Sequence, residues 1–388
     1  MNLLAIKMLV GDRAKYLGII SGLTFAAVLM VQQAGIFYGF IRLTYSSIDT
    51  IPQATIWVAD PDVRFIDDSR PLLDSALLRV RGVEGVKWAV PYFKGAARCR
   101  LPDGRNEVAF VIGIDETSFI GAPPQMIEGS IEDLRQSQAI IVDERTANNL
   151  FARRDKLNPD APRIPLKVGD ALEINDQRAT IVGICKTLLQ LQGEATIYTT
   201  FNRATTSYTP SERRKMTYVL AAPDDNADMN DVVAGIEKAT RLKAFTVQQF
   251  KDRTWTFFVT QGGFGVFFGI SVLFGFIIGI GIAGQMFYNF TVDNLKYFAV
   301  LKAMGTSRWR LIKMVMLQAT LAGLMGWSLG IAIGAIFGWA FKGSDQLMFE
   351  IPWALFFGSL IALLVISWLS ALLSIRSVLK LDPAVVFK

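Results

Sequence analysis

The chain has 388 residues, of which 52% are hydrophobic and 19% charged, with a formal net charge of +6 and no histidine. The charged share falls below the roughly 25% of an ordinary soluble domain, which sets that class aside. Without histidine the usual general base, the Ser-His-Asp arrangement and most zinc sites are removed.

Four windows, 16–41, 254–292, 314–341 and 351–375, contain no Asp, Glu, Lys or Arg. Each exceeds the about 20 apolar residues that a bilayer core asks of a helix, and Asp, Lys and Arg are the costly residues at a helix centre. The reading is a membrane α-helical protein with four transmembrane helices and an α+β extracytoplasmic domain inserted between helices 1 and 2. Residues 1–15 form a cytoplasmic amphipathic lead-in. The window 16–41 is longer than the ~7–15-residue apolar run of a signal peptide, so it is read as an uncleaved span.

Residues 42–253 are nearly balanced in charge, whereas elsewhere basic residues outnumber acidic ones by more than two to one. The excess gathers at Lys7, Arg13 and Lys15, at Lys296, Lys302, Arg308, Arg310 and Lys313, and at Arg376, Lys380 and Lys388. Lys- and Arg-rich loops stay in the cytoplasm, and four spans put these three segments on one side. The lead-in, the segment 293–313 and the tail 376–388 are expected inside; 42–253 and the short loop 342–350 are expected outside. Basicity is thus a topology signal and gives no ground for a nucleic-acid partner.

In the outer domain, "QATIWVAD" reads as an early strand, and Leu72, Leu73, Ala76, Leu77 and Val80 recur at helical spacing. A strand begins at Val86 after the stop at Gly82, and another covers 107–115. "AIIVDERTANNLF" reads as a strand running into a short helix. Residues 172–174 and 179–184 flank Asn175-Asp176, a hairpin signal. "MTYVLAA" and residues 229–240 add a strand and a helix, and without a regular βαβ repeat the class is α+β. Asp67-Asp68 and Asp224-Asp225 lie in turn-like sequence and are read as solvated turns. Cys99 and Cys185 each sit in a strand-like run; two separate core thiols or one bridge both remain open. No Lys follows a Gly, so a Walker A phosphate loop is absent from the sequence and any ATPase must be another subunit.

Helical residues across 254–292 would extend about 58 Å at ~1.5 Å per residue, against a hydrocarbon core of about 30 Å. A stalk projecting toward the outer domain is the expectation, a kink at Gly262-Gly263 the alternative. Gly326, Gly330, Gly334 and Gly338 recur every fourth residue, and Gly275 and Gly279 share that spacing. Such ridges permit close helix approach, either within the chain or in a homodimer. The spans carry no ionisable Asp, Glu, Lys or Arg, which argues against an ion-coupled transporter.

Between the second and third windows lies "NLKYFAVLKAMGTSRWRLIK". Leu295 to Met304 suit a helix, Gly305 a C-terminal stop, and Thr306 or Ser307 the cap of the next helix. An interfacial anchor is one reading of it, since Lys and Trp belong at a membrane–water interface. The core "LKAMGTSRWRLI" resembles the cytoplasmic segment of the MacB/FtsX-type ABC permeases. "RVRGVEGVKWAVP" is similar to the entry of that family's outer domain, "AIIVDERTANNLF…VGDALEI…ATIVGI" to its later part, and "KLDPAVVFK" to its C-terminal tail. Together these cover nearly the whole chain. "GFIIG…QMFY" and "KYFAVLKAMG" resemble the branch containing the cyanobacterial heterocyst glycolipid exporter permease.

The resemblance implies a type VII, mechanotransmission permease of the inner membrane with both termini cytoplasmic. It implies a homodimer working with a separate ABC ATPase that holds ATP and Mg, and a chain that is not itself an enzyme. Tyr297, Leu301, Lys302, Ala303, Met304, Gly305 and Thr306 would be the ATPase-coupling residues. Tyr297 stands where many members have an acidic residue. For an exporter, the resemblance implies a periplasmic membrane-fusion adaptor, an outer-membrane channel and a hydrophobic substrate such as a lipid, glycolipid or drug. A permease that regulates a cell-wall hydrolase, or one that extracts lipoproteins, is the alternative.

Overall fold

The structure, a computed structural model, describes residues 2–11, 13–153, 162–189, 191, 193–213, 215–341 and 348–379, with only the backbone described for 2–4 and 376–379. The tail segment 380–388 with its Asp-Pro ending, and 342–347 of the expected short loop, lie outside the described residues. The chain forms two compact units, one of Met1–Phe40 with Gly263–Lys388 and one of Ile41–Gly262. It opens with α1 (Asn2–Gly11) and α2 (Arg13–Thr44). Ala5 and Leu9, one turn apart on α1, are buried, as are Ile19, Leu23, Ala26, Ala27 and Met30 on α2. That spacing is the inward stripe expected of a packed helix.

The second unit begins with α3 (Ser46–Asp49), β1 (Ile56–Ala59), β2 (Leu72–Leu73), α4 (Ser75–Arg81) and the long β3 (Val86–Arg100). It continues with β4 (Asn106–Ile114), β5 (Gln125–Glu128), β6 (Ala139–Asp143), β7 (Ala171–Ile174), β8 (Gln177–Lys186) and β9 (Ala195–Thr200). It closes with α5 (Phe201–Arg203), β10 (Lys215–Met216), β11 (Tyr218–Pro223), α6 (Met229–Thr240), β12 (Lys243–Thr246) and α7 (Val247–Thr256). The main sheet runs β12-β1-β11-β3-β4-β9-β6-β8-β5. β3 is its spine: Tyr92 and the residues before it pair with β11, while Phe93 to Arg100 pair with β4. Mixed pairing, with β4 parallel to β9 and β6 parallel to β8, confirms the α+β class.

The hairpin at Asn175-Asp176 forms as expected, joining β7 to β8 with both turn residues at positive φ (45° and 65°), the conformation a tight I′ turn demands. Leu72 and Leu73 do not join α4 but pair with Met216 and Lys215 of β10. The helix starts only after Asp74. Cys99 and Cys185 are free and buried, one in each of two separate hydrophobic clusters. The reading of Asp67-Asp68 as a solvated turn is corrected. Asp67 is 8% exposed and takes a 2.6 Å ion pair from Lys94, itself 3% exposed, while Asp68 pairs with Arg64. Lys94 is the cause: burying a lysine is tolerable only beside a counter-charge.

The expected stalk is also corrected. The second window is not one helix. Its first residues belong to the second unit, where Thr254 is buried and its hydroxyl accepts from the Ile66 amide at 3.3 Å. Phe257 stacks on Phe65 with ring centroids 4.5 Å apart. A π-helical turn, Phe257–Gln261, leads to Gly263 at φ +73°, and only then does α8 (Phe264–Asp293) begin. A left-handed residue cannot continue a right-handed helix, and glycine adopts it without steric cost.

The remaining helices are α9 (Leu295–Ala303), α10 (Arg308–Ala340) and α11 (Trp353–Leu379). α2, α8, α10 and α11 are long and apolar enough to cross a membrane. Ser374 donates to the Phe287 carbonyl at 2.9 Å and Trp368 to Thr320 at 2.9 Å, interhelical bonds of the kind that join membrane helices. The glycines of the ridge have close neighbours within the chain. A methyl at Gly326 would lie 2.6 Å from Leu23 Cβ and one at Gly334 would lie 2.8 Å from Val31 Cγ1, while Gly330 faces Ala27. Gly338 faces the Phe349 ring, Gly279 faces Ala26 and Ile366, and Gly275 lies over Met30 and Leu29.

Candidate functional site

The segment between the second and third spans is built around α9. α8 ends at Asn294, whose side-chain amide donates to the Phe290 carbonyl at 2.8 Å. Phe298, Ala299 and Leu301 are buried in the helix bundle, which fixes the roll of α9. The opposite face then carries Tyr297 (63% exposed), Val300 and Met304 (70% exposed). Those three recur at i, i+3 and i+7, so they form one outward apolar stripe.

Gly305 ends the helix at φ +84°. The Thr306 amide donates to the Leu301 carbonyl and the Gly305 amide to the Lys302 carbonyl, each at 3.1 Å. This is the Schellman arrangement, which satisfies the last orphan carbonyls and requires a left-handed residue at that point. Ser307 then occupies the cap position of α10 with no side-chain cap bond, so the expected capping hydroxyl is not used. Arg308, Trp309 and Arg310 follow, all exposed.

Of the residues expected to act together, Tyr297, Leu301 and Met304 line one cavity of about 680 Å³. Lys302, Ala303, Gly305 and Thr306 do not line it; Ala303 and Gly305 are exposed and Lys302 and Thr306 half-buried. Sequence reasoning missed the other wall of this cavity. Lys7, Met8 and Gly11 of α1, Lys15 of α2 and Asp293 of α8 complete it. Lys15 and Asp293 are joined by a 2.8 Å ion pair. The only available signal was the basic, amphipathic lead-in, whose distance from α9 in the chain hides the contact.

Residues 260–383 match the FtsX-like permease C-terminal family, and residues 17–239, more than half of the chain, match the MacB-like periplasmic core domain. The chain belongs to the MacB/FtsX-type permeases. An ABC transporter permease of Methanocaldococcus jannaschii is 20% identical over 98% of this chain and 95% of its own length. The ABC transporter permease YknZ of Bacillus subtilis is 22% identical over 78% of this chain and 76% of its own length. The macrolide export ATP-binding/permease protein MacB of Escherichia coli is 23% identical over 73% of this chain, which spans only 44% of that relative. This MacB/FtsX-type permease is therefore an ABC transporter permease with four apolar helices and an α+β domain between the first two.

Proposed function

We propose that this MacB/FtsX-type permease is the membrane subunit of an ABC exporter, and that a separate ATPase holding ATP and Mg docks on α9 and its glycine end. The observation that carries this reading is the outward stripe of Tyr297, Val300 and Met304 beside the Schellman turn at Gly305. Apolar and aromatic side chains left exposed on a short, rigid helix are what a protein partner buries. The three basic clusters support placing this segment and both termini in the cytoplasm.

Closure of the ATPases on binding ATP would push on α9, and the push would pass into α8 and α10, which flank it in the chain. Two such chains would work as a homodimer. A hydrophobic lipid, glycolipid or drug would leave by way of a periplasmic adaptor and an outer-membrane channel. The resemblance of "GFIIG…QMFY" and "KYFAVLKAMG" to the heterocyst glycolipid exporter branch favours a lipid cargo, and the related MacB bears macrolide export in its name.

Co-purification of the chain with its ATPase tests the docking. Gly305→Pro removes a φ of +84° that proline cannot adopt, and Tyr297→Asp places a charge on the stripe. Each variant is expected to lower ATPase recovery by about tenfold or more, equivalent to about 1.4 kcal/mol. Wild-type recovery and coupled ATPase activity in both would remove α9 from the interface. Capture of a periplasmic adaptor by the same preparation separates export from signalling.

A further inference from the structure

The cavity beside α9 has two walls of different origin. One is α9 itself, through Tyr297, Val300, Leu301 and Met304; the other is the N-terminal arm, through Lys7, Met8 and Gly11. We propose that this cavity is a socket for a large apolar side chain projecting from the ATPase, and that a carboxylate flanking that side chain meets Lys7. The inference rests on the docking reading above and extends the interface to α1.

The arm is a fixed wall. Ala5 and Leu9 are fully packed into the bundle. The buried amide of Gln318 on α10 donates to the Ala5 carbonyl at 2.8 Å. A preformed concave wall spares a partner the entropy of ordering it.

The lining chemistry selects the occupant. Met8, Val300, Leu301 and Met304 give an apolar floor, and methionines adapt their shape to an incoming group. Interfaces concentrate their energy where an aromatic or aliphatic anchor fills such a pocket. Among the described charged residues of the lining, Lys15 is engaged by Asp293 at 2.8 Å and Lys7 is the further cation. The rim is left with net positive charge, which favours an acidic collar on the partner. Tyr297 and Met304 serve both the outward stripe and the cavity, so the socket is continuous with the proposed ATPase face. That continuity favours a protein knob over a phospholipid.

Gly11 supplies the test. It lines the cavity, and a Cβ placed there meets no atom within 4 Å. Gly11→Phe therefore plugs the socket from the arm side while leaving every residue of α9 unchanged. The full chain in detergent is titrated with the ATPase subunit that co-purifies with wild type, and monodispersity and thermal midpoint report the fold. Gly11→Phe is expected to weaken binding at least tenfold with an unchanged midpoint. Lys7→Glu, a surface change that disturbs no packing, is expected to weaken it severalfold, and the loss should shrink in high salt as ionic contacts are screened.

Wild-type affinity in Gly11→Phe and Lys7→Glu, with loss in Gly305→Pro, would overturn the socket and leave docking on α9 standing. Wild-type affinity in all three would remove the docking reading and the socket with it. Loss of co-purifying phospholipid from Gly11→Phe at wild-type ATPase affinity would make the cavity a lipid site, and would equally overturn the proposal.

Discussion

Lys94 is held by more than its counter-ion. Its ammonium lies 2.6 Å from Asp67 Oδ1 and 3.3 Å from the Ser47 hydroxyl, and 4.8 Å above the Phe110 ring. Its backbone amide donates to Thr217 at 2.9 Å. The pair ties the loop before β2 to the spine strand β3. Removing one member of a buried pair leaves the other charge stranded, at a cost of about 3–5 kcal/mol. Lys94→Ala should destabilise the outer unit by that amount in thermal unfolding of the purified chain, and the double change Lys94→Met with Asp67→Leu should cost much less. Nothing at Asp67-Asp68 distinguishes this pair from an ordinary acidic turn. The partner is 27 residues away, and burial is a property of the folded neighbourhood. Glu194 is a second case: burial raises its carboxyl above the usual glutamate range, and one carboxyl oxygen is buried without a hydrogen-bond partner among the described residues.

At the scale of elements, the four-residue glycine spacing announced a close approach and left the approaching surface open. α2 supplies it for Gly326, Gly330 and Gly334 through Leu23, Ala27 and Val31. Forcing a branched side chain into such a contact costs about 1–3 kcal/mol. Gly330→Ile should lower the thermal midpoint in detergent accordingly. Gly269→Ile on α8 is the matched control, since a Cβ there meets nothing within 4 Å and the fold should hold to within about 0.5 kcal/mol.

Other elements were legible to differing degrees. α6 covers Met229–Thr240 as read, because its amphipathic stripe is local and Asp228 caps it by accepting from the Asn230 amide at 2.7 Å. β9 is buried at all six residues, and its sequence "ATIYTT" carries no polar alternation to mark a strand. The break at Gly263 was visible as a glycine pair, but the packing of Phe257 and Phe258 against Phe65 assigns the preceding turn to the outer unit.

At the scale of the molecule, sidedness is the expectation with most consequence for the ATPase reading. Thiol labelling suits it because both native cysteines are silent: Cys99 and Cys185 are buried, and burial pushes the Cys99 thiol up to about 12. A buried thiol of that kind supplies little thiolate for reaction. Asp225→Cys, in an exposed turn of the outer unit, should react with a membrane-impermeant maleimide in intact spheroplasts. Ser307→Cys, exposed between α9 and α10, should react only after permeabilisation. The opposite pattern would reverse the topology.

Hydropathy, the sign of nearby charges and turn chemistry are carried by residues close together in the chain. For that reason four spans, an inserted α+β domain, the Asn175-Asp176 hairpin and the helix end at Gly305 could all be read from the amino acids alone. The filling of the glycine face by α2, the inward turn of Leu301, the buried Lys94–Asp67 pair and the meeting of Lys7 and Gly11 with α9 belong to the folded chain. Each depends on surfaces that are distant in sequence, and it is packing, which no local pattern encodes, that brings them together.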